Sequence, residues 1–491
     1  MPKGESSPNT RLELSKEEMR SLGYRVIDLL VEHTSTLSEQ TVSRVGSREA
    51  MEASIHQPLP IDGEDPVGLL DFLSEQVFHH SMVTNHPRFF AFVPSPSNFV
   101  SVMADTLISG YNSILAEWAE ASGPATLELN TVDWLRELCG MPADAGGIFV
   151  SGGSAANLTA LAVAREVVLQ NRIEGARVYC SEQTHASNRK ALKLLGFSTE
   201  QVVGIALDHD WRIDCDALLK QIQEDRRSGW IPFCIIGNAG TTSTGAVDPI
   251  ARLHEISRSE KLWLHVDGAY GAAAVITERG AEALRDLAHV DSLAIDPHKW
   301  LFQPFEIGCV LIRNSQHLTD TFGQDHIYLR DVTGDPLSGE VNLCDAGIQL
   351  TRNFRALKLW LSLKTFGLDS FRSAMDYTLD LATTAQQMLA ARDNVEICTP
   401  ARLAILTFRF IPSGWTEADL NALNLSIVQW MIKDGRAMLS STQLGEKVVL
   451  RLCTINPRTT EADLEFTVDL LSQAADTLIK EHANRDDSSR G

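Results

Sequence analysis

A lysine that follows a short apolar run is the residue of this chain best suited to covalent chemistry with a carbonyl compound. Lys299 lies in the segment Asp-Pro-His-Lys-Trp at 296–300, directly after residues 290–295, which read as a buried strand. Pro297 ends the strand pairing, so the lysine is predicted on a tight turn. An apolar setting disfavours the ammonium form, and a neutral amine is the form that adds to a carbonyl. On this segment alone, an exposed lysine is an equal alternative.

Polar residues also follow other predicted strands, which lie at 148–150, 177–180, 202–206, 233–236, 262–266, 292–295 and 309–312. Most segments between them are long enough for a helix, which predicts a largely parallel sheet covered on both faces. Ligands of such sheets bind beyond the carboxyl ends of the strands, so the turns are expected to converge. Each polar residue also has a plain alternative as a helix cap, a turn former or a buried histidine. The turns carry Gly153, Ser154, Thr184, His185, Gly240, Thr241, Thr242, Asp267, His298 and Lys299.

The turn after the first predicted strand is rich in small residues. The sequence Ser-Gly-Gly-Ser at 151–154 leads from residues 148–150 into the helical stretch 158–164. Free N–H groups and the positive dipole end of a helix favour a phosphate, and glycine lets the backbone approach it closely. A plain helix cap is the alternative for this motif taken alone.

Composition narrows the class of protein. The chain has 491 residues, 44% of them hydrophobic and 22% charged, which is typical of a globular protein with more than one domain. A formal net charge of -21 argues against nucleic acid or an anionic membrane as partner. The eight cysteines are scattered without metal-ligand spacing, so we expect reduced thiols, no metal site and a cytoplasmic location. Neither a signal peptide nor an apolar run of membrane-spanning length is expected.

The pattern divides the chain into three parts. Residues 1–85 are predicted to form a helical segment in which Ser15 and Glu18 make a capping box and an apolar stripe needs a partner surface. Residues 86–370 hold the predicted sheet, preceded by a helical region at 100–139 that is expected to break near Gly123 and Pro124. Residues 371–491 suit a small α+β C-terminal domain, with strands at 395–398, 404–409 and 448–453.

Three motifs taken together resemble those of the group II pyridoxal-phosphate-dependent decarboxylases, the relatives of aromatic-L-amino-acid and glutamate decarboxylases. They are Ser-Gly-Gly-Ser at 151–154, His-Val-Asp-Gly-Ala-Tyr at 265–270 and Asp-Pro-His-Lys-Trp at 296–300, and the likeness extends from about Leu14 to Pro457. The resemblance implies an α/β fold of type I with a mainly parallel seven-stranded sheet and pyridoxal 5′-phosphate as cofactor. It also implies a homodimer whose small-molecule substrate is an amino acid.

The resemblance assigns roles to the residues on the turns. Lys299 would bind the cofactor as a Schiff base, and Asp267 would keep its pyridine nitrogen protonated so that the ring accepts electrons. His185 would stack on the ring. Asp296 departs from the asparagine that the family often carries, and an acid beside a phosphate needs a compensating donor. The remaining cofactor contacts implied are Ser154, Ala155 and His298 at the phosphate, and Thr242 and Ala269 near the ring.

The reaction is expected to be decarboxylation to an amine and CO2. Tyr328 matches the tyrosine of the family's mobile catalytic loop, which supports protonation of the substrate carbon after CO2 leaves. In related aldehyde synthases this position is often phenylalanine, or the stacking histidine is asparagine. Tyr328 and His185 are both of the decarboxylase type. An oxidative aldehyde synthase on the same scaffold is the alternative reaction.

The substrate is expected to be aromatic: tryptophan, tyrosine, phenylalanine or dopa. Two segments resemble the substrate pocket of the aromatic branch, although Val93 and Ala116 stand where aromatic side chains are common. An acidic or other amino acid is the alternative, because pocket volume alone discriminates by only about 1–3 kcal/mol per methylene. The predicted substrate contacts are Phe92, Val93, Pro94, Ile114 and Trp118.

Overall fold

The N-terminal part of the chain is helical. A computed structural model describes residues 12–324, 331–335 and 338–490. The capping box predicted at the first helix is confirmed: Glu18 N donates to Ser15 Oγ at 3.2 Å, and Ser15 N donates to Glu18 Oε2 at 2.7 Å. No residue of this helix is buried within the chain as described, so its apolar side chains remain open to a partner. The helices of this part are α1 (Lys16–Ser35), α2 (Arg48–Ile55) and α3 (Pro66–Phe72).

Alternating helices and strands follow, as predicted. The strands of the large sheet are rich in β-branched and aromatic residues, and β5, β6 and β7 are buried along their whole length because helices cover both faces. The elements are α4 (Phe99–Tyr111), α5 (Ser122–Leu138), β1 (Gly146–Val150), α6 (Gly153–Leu169), β2 (Ala176–Ser181), α7 (Ala186–Leu194), β3 (Val202–Ile205), α8 (Cys215–Arg227), β4 (Ile231–Asn238), α9 (Ile250–Glu260), β5 (Trp263–Asp267), α10 (Glu278–Leu284), β6 (Ser292–Ile295), β7 (Gly308–Ile312), α11 (Gln316–Phe322) and α12 (Ala356–Phe366).

The topology of the large sheet brings the predicted turns to one edge. Across the described residues it has seven strands in the order β1-β7-β6-β5-β4-β2-β3. The pairs β2–β3, β2–β4, β4–β5 and β5–β6 are parallel, whereas β7 runs antiparallel to both β1 and β6. The prediction of a mainly parallel seven-stranded sheet is therefore confirmed. The carboxyl ends of β2, β4, β5 and β6 lie at one edge, and the turns after them face a common cavity.

A smaller sheet follows in the C-terminal part. In the described chain its strands lie in the order β10-β11-β9-β8, and every pair is antiparallel. Helices α13 and α14 pack on it and α15 packs against both helices, which gives the α+β arrangement that the sequence predicted. The elements are α13 (Leu368–Ala390), β8 (Val395–Arg402), β9 (Ile405–Phe410), α14 (Glu417–Asp434), β10 (Ser440–Leu444), β11 (Lys447–Cys453) and α15 (Glu461–Arg490).

The helical region before the sheet breaks at a different place from the one predicted. Helix α4 ends at Asn112, which adopts a left-handed conformation with φ of 47°, and α5 does not begin until Ser122. Gly123 and Pro124 lie inside the first turn of α5 rather than in the break. Proline is compatible with the first turn of a helix, because its missing N–H would have no partner there anyway.

All eight cysteines lie in the described part of the chain and are free thiols, six of them buried. Burial raises the pKa of several of them, to about 12 for Cys139. None of the helices among the described residues is both long and apolar enough to span a membrane.

Candidate active site

The turns at the carboxyl edge of the large sheet enclose a cavity of about 490 Å³. Its wall combines the turn after β1 and the start of α6, the turn between β2 and α7, the segments after β4 and β5, and the turn after β6. Phe92 and Val93, which come much earlier in the sequence than the strands of the sheet, complete the wall. The convergence that the sequence predicted is thus observed, because successive parallel strands deliver their following turns to the same edge.

Lys299 is held by a carboxylate at the floor of this cavity. Its backbone N–H donates to Asp296 O at 2.9 Å, which closes the predicted tight turn after β6. Its Nζ lies 2.9 Å from Asp296 Oδ2. Burial lowers the pKa of Lys299, but the charges of Asp296 and, less strongly, Asp267 outweigh it and raise the pKa above its ordinary value. The expectation that desolvation favours a neutral amine is therefore wrong for the free lysine.

The glycines after β1 allow a close approach that a larger residue would block. A Cβ on Gly153 would lie 2.8 Å from Asp296 Oδ2 and 3.0 Å from Ala269 Cβ. A Cβ on Gly152 would lie 3.0 Å from His298 Cε1. The N–H groups in the first turn of α6, which starts here, have no intrahelical acceptors. Together with Ser154 and Ala155 on the cavity wall, this turn forms a cradle for a phosphate group.

Asp267 ends β5 and is almost fully buried. Its Oδ2 accepts hydrogen bonds from Asn157 Nδ2 at 2.9 Å and from Asn188 Nδ2 at 2.7 Å. Its Oδ1 accepts from Ala269 N at 3.2 Å. A buried carboxylate that receives three N–H donors keeps a fixed orientation, and it offers a negative charge to a cationic ring nitrogen within the cavity.

His185 begins the turn into α7 and lines the same cavity. Its Nδ1 lies 2.8 Å from Ser187 Oγ and accepts from Ser187 N at 3.3 Å. The ring is therefore fixed on one side and open on the other. His298 is more enclosed: Ile307 N donates to its Nδ1 at 3.3 Å, and burial lowers the pKa of the imidazole.

Ten of the predicted site residues line this cavity, whereas others lie elsewhere. Pro94 is buried next to the wall, and Ile114 and Trp118 lie outside the cavity of this chain. Trp118 packs against the segment that resumes at residue 331, and its backbone N–H donates to Asn342 Oδ1 at 3.1 Å. Tyr328 lies outside the described residues. The ten that meet are Phe92, Val93, Ser154, Ala155, His185, Thr242, Asp267, Ala269, His298 and Lys299.

Sequence reasoning gave no site role to the two asparagines that hold Asp267, and it took Arg451 as structural. Arg451 is buried on β11, and its guanidinium donates to the backbone oxygens of Thr242 and Phe92. It thus ties two segments of the cavity wall to the small sheet. The only sequence signal was a charged residue within an otherwise apolar strand, which does not reveal its partners 209 and 359 residues earlier.

Comparison with known proteins decides the family. The model of the pyridoxal-dependent decarboxylase conserved domain matches residues 49–411. The chain belongs to the pyridoxal-dependent decarboxylase family. It is an amino acid decarboxylase with pyridoxal 5′-phosphate as its cofactor, and the fold is that of the type I enzymes.

Individual relatives cover nearly the whole enzyme. An aromatic-L-amino-acid decarboxylase of Bacillus atrophaeus is 47% identical over 92% of this chain and 94% of its own length. A phenylacetaldehyde synthase of Arabidopsis thaliana is 27% identical over 95% of this chain and 97% of its own. The crystal structure of Catharanthus roseus tryptophan decarboxylase in complex with L-tryptophan superposes with a TM-score of 0.88 at 25% identity, covering 95% of this chain and 99% of that one.

The cavity fits this cofactor. An amine at Lys299, a glycine cradle beside a helix start and a fixed carboxylate at Asp267 match its aldehyde, its phosphate and its ring nitrogen in chemical type. The acid at 296, which raised doubt from sequence, has Lys299 as the compensating donor on Oδ2. Its Oδ1 is buried without a partner among the described residues.

Proposed function

We propose that this enzyme decarboxylates an aromatic L-amino acid to the corresponding amine and CO2. The observation that carries the proposal is the 47% identity, over nearly the full length, with an enzyme named aromatic-L-amino-acid decarboxylase. An apolar stretch of cavity wall at Phe92 and Val93 supports it, since an aromatic side chain gains free energy by leaving water for such a surface.

Some residues of the site supply charge or a proton, and others position the reacting groups. When bound, the cofactor accepts electrons from the breaking bond between Cα and the carboxylate. Asp267 would supply a fixed negative charge to the ring nitrogen of the cofactor, and Lys299 carries a proton on Nζ opposite Asp296. His185 would pack on the ring face of the bound cofactor and would present its free nitrogen to the substrate. Tyr328 is proposed as the proton donor to the substrate carbon, and it lies in the part of the chain that the structure leaves undescribed.

The other predicted contacts complete this assignment. Ser154, Ala155 and His298 are proposed to hold the phosphate, and Thr242 and Ala269 to contact the ring. Pro94 is buried next to the cavity wall, whereas Ile114 and Trp118 lie outside the cavity of their own chain, so we propose that Ile114 and Trp118 serve the cavity of a partner subunit. The exposure of Ile114, at 45%, leaves it available to another chain.

Product analysis across substrates tests the proposed reaction. We expect the purified enzyme, supplied with pyridoxal 5′-phosphate, to release amine from tryptophan, tyrosine, phenylalanine or dopa, and to release little or none from the other natural amino acids. Mass spectrometry of the products, with a peroxide assay in parallel, separates amine from aldehyde. Turnover confined to acidic or diamino acids would refute the aromatic substrate. Aldehyde and peroxide as the main products would refute simple decarboxylation in favour of aldehyde synthesis.

We further propose that the enzyme is a cytoplasmic homodimer whose partner subunit covers the apolar stripe of α1. The eight free thiols support the location. A groove of about 390 Å³ between α1, α3 and residues 78–85 supports the dimer, because its lining is largely apolar and includes Leu29, Leu30 and Phe78. Phe78 is 67% exposed within one chain. We also propose domain boundaries at about residues 85 and 370. The sequence pattern changes there from the N-terminal helical segment to the large sheet, and from the large sheet to the C-terminal α+β part.

Truncation tests the dimer. Removing residues 1–59 deletes α1 and α2, and we expect mostly monomeric or aggregating protein with little activity, because the partner's apolar surface loses its cover. Light scattering and amine release measure the two effects. Removing only residues 2–11 is the matched control, since it leaves α1 intact and should preserve both dimer and activity. An active dimer of normal size after the longer truncation would contradict the proposal.

A further inference from the structure

A buried hydrogen-bond chain runs along one face of β5 towards the cavity. Side chains at every second position of a strand share a face, so Trp263, His265 and Asp267 lie in line. His265 is paired with Ser292 on β6. Of these residues only Asp267, which ends the strand, lines the cavity. The proposed function uses Asp267 alone.

The donor and acceptor capacities of these groups fix the direction of the chain. The indole N–H of Trp263 can only donate, and it lies 2.8 Å from Ser292 Oγ. The hydroxyl hydrogen of Ser292 is thereby free to be donated to His265 Nδ1, 2.9 Å away. Since Nδ1 accepts, His265 carries its proton on Nε2 when neutral, and Nε2 lies 3.0 Å from Asn157 Oδ1. Burial lowers the pKa of His265 to about 4, so the neutral ring is the form present at physiological pH.

The orientation of the Asn157 amide follows from its contact with Asp267, at the end of the hydrogen-bond chain that reaches the cavity. Asp267 Oδ2 can only accept when ionised, so the group of Asn157 that faces it at 2.9 Å is the amide nitrogen. This places Asn157 Oδ1 towards His265, so His265 Nε2 donates to it and Nδ1 accepts from Ser292 Oγ. Asn157 is completely buried, and its amide nitrogen has a second acceptor in Ser187 Oγ at 3.0 Å. One side chain thereby connects Asp267 to Ser187.

Ser187 accepts a hydrogen bond from Asn157 and donates one to His185. Because Ser187 Oγ accepts from Asn157, its own hydrogen is free to donate to His185 Nδ1 at 2.8 Å. The backbone N–H of Ser187 also donates to that nitrogen, at 3.3 Å. With two donors on Nδ1, neutral His185 must carry its proton on Nε2, the nitrogen without a protein partner among the described residues.

We propose that Asn157 is a positioning residue that fixes the tautomer of His185, so that Nε2–H is presented to the cavity, while it holds Asp267 in place. Trp263, Ser292 and His265 support it by fixing the orientation of its amide. The group offered by His185 to a substrate carboxylate is then a hydrogen-bond donor. The inference rests on the proposed role of His185 in the cavity, but the tautomer itself does not depend on the identity of the substrate.

Solid-state NMR of protein labelled with ¹⁵N in its histidine rings tests the tautomer without cofactor or substrate. The signals are assigned by comparison with His185→Gln and His265→Gln variants. In the unmodified enzyme at pH 8 we expect protonated Nε2 and unprotonated Nδ1 for both residues. A protonated Nδ1 on His185 overturns the proposal whatever any variant does, and an amine-forming enzyme with that tautomer would leave the proposed function intact.

Variants test whether Asn157 sets the tautomer. In Asn157→Leu the hydroxyl of Ser187 is released from its donor, so we expect a detectable population of His185 with Nδ1 protonated. The kcat/KM of the loaded enzyme should fall about 10- to 100-fold, as for loss of a hydrogen bond to a charged group. If this variant does not fold, Ser187→Ala is measured instead, with the same expected change in tautomer.

Tyr179→Phe is the matched control, because it also removes a buried hydrogen bond from the large sheet. Tyr179 Oη donates to Asp225 Oδ2 at 2.8 Å, away from the cavity. We expect this variant to lose stability but to keep the tautomer of His185 and most of kcat. The proposal fails if the tautomer of His185 is unchanged in both Asn157→Leu and Ser187→Ala. It also fails if Tyr179→Phe changes the tautomer in the same way, because the hydrogen-bond chain would then not control it.

Discussion

Replacing Lys299 with alanine is expected to lower kcat on the order of 10³-fold or more and to abolish covalent attachment of the cofactor. Lys299 is the amine that reaches the cavity floor, and its Nζ carries the proton held by Asp296 at 2.9 Å. Loss of that side chain removes both the covalent anchor and a proton carrier. The measurements are amine release and the protein mass after borohydride reduction in the presence of pyridoxal 5′-phosphate.

Lys358 provides the matched control, since it is also a buried lysine in an ion pair. Its Nζ lies 3.3 Å from Asp105 Oδ1 and donates to Glu306 O at 3.1 Å, outside the cavity. We expect Lys358→Met to lower the free energy of unfolding while the cofactor is still trapped by reduction. Trapping in Lys299→Ala at the level of the unmodified enzyme would show that another amine is the anchor.

The charge of Lys299 illustrates what the sequence does and does not reveal. The apolar run before it and Pro297 predicted a buried strand followed by a turn, and both are present because these features act over a few residues. The predicted loss of the ammonium charge was wrong. A turn places residue i beside residue i+3, so Asp296 reaches Nζ and its attraction exceeds the cost of burial. The sign of the pKa shift depended on a side-chain direction that the pattern does not encode.

Long-range partners limited the prediction of the site more than the fold did. The strands, their mainly parallel arrangement and the convergence of their turns follow from local periodicity and from the rules for parallel sheets. Arg451 and Asn157 have no such signal. Arg451 reads as an interruption of a strand, yet it donates to Thr242 O and Phe92 O. Asn157 reads as part of a small-residue helix start, yet it connects Asp267 to Ser187.

Packing also decided a local break that composition suggested incorrectly. Gly123 and Pro124 looked like a helix end, but the fold places them in the first turn of α5, where proline costs little. The true break at Asn112 depends on a left-handed residue, which asparagine adopts more readily than most. The sequence therefore predicts the helices and strands of this enzyme well. It predicts their ends less well, because glycine, proline and asparagine are compatible with more than one position at a helix end.

The second large effect is expected at Asp267. In Asp267→Asn the three N–H groups that now converge on a carboxylate, from Asn157, Asn188 and Ala269, meet a neutral amide. An amide nitrogen facing these donors is repelled, and the negative charge at the ring nitrogen is lost. We expect kcat to fall about 10²- to 10³-fold, comparable to the loss of a preorganised electrostatic contact. Amine release measures the rate, and the absorbance of the bound cofactor reports retention of the cofactor.

Asp248→Asn separates this loss of charge from a general effect of removing a buried acid. Asp248 is also buried and also accepts an asparagine amide, from Asn238 Nδ2 at 2.8 Å, but it lies outside the cavity. Burial raises the pKa of Asp248 to about 6, so its ionised form is less stable than that of a carboxyl group in water. We expect Asp248→Asn to lower the melting temperature of the enzyme and to retain most of the kcat of the unmodified enzyme. Equal losses of kcat in the two variants would mean that Asp267 acts through stability, whereas a loss confined to Asp267→Asn places the required negative charge at the cavity end of β5.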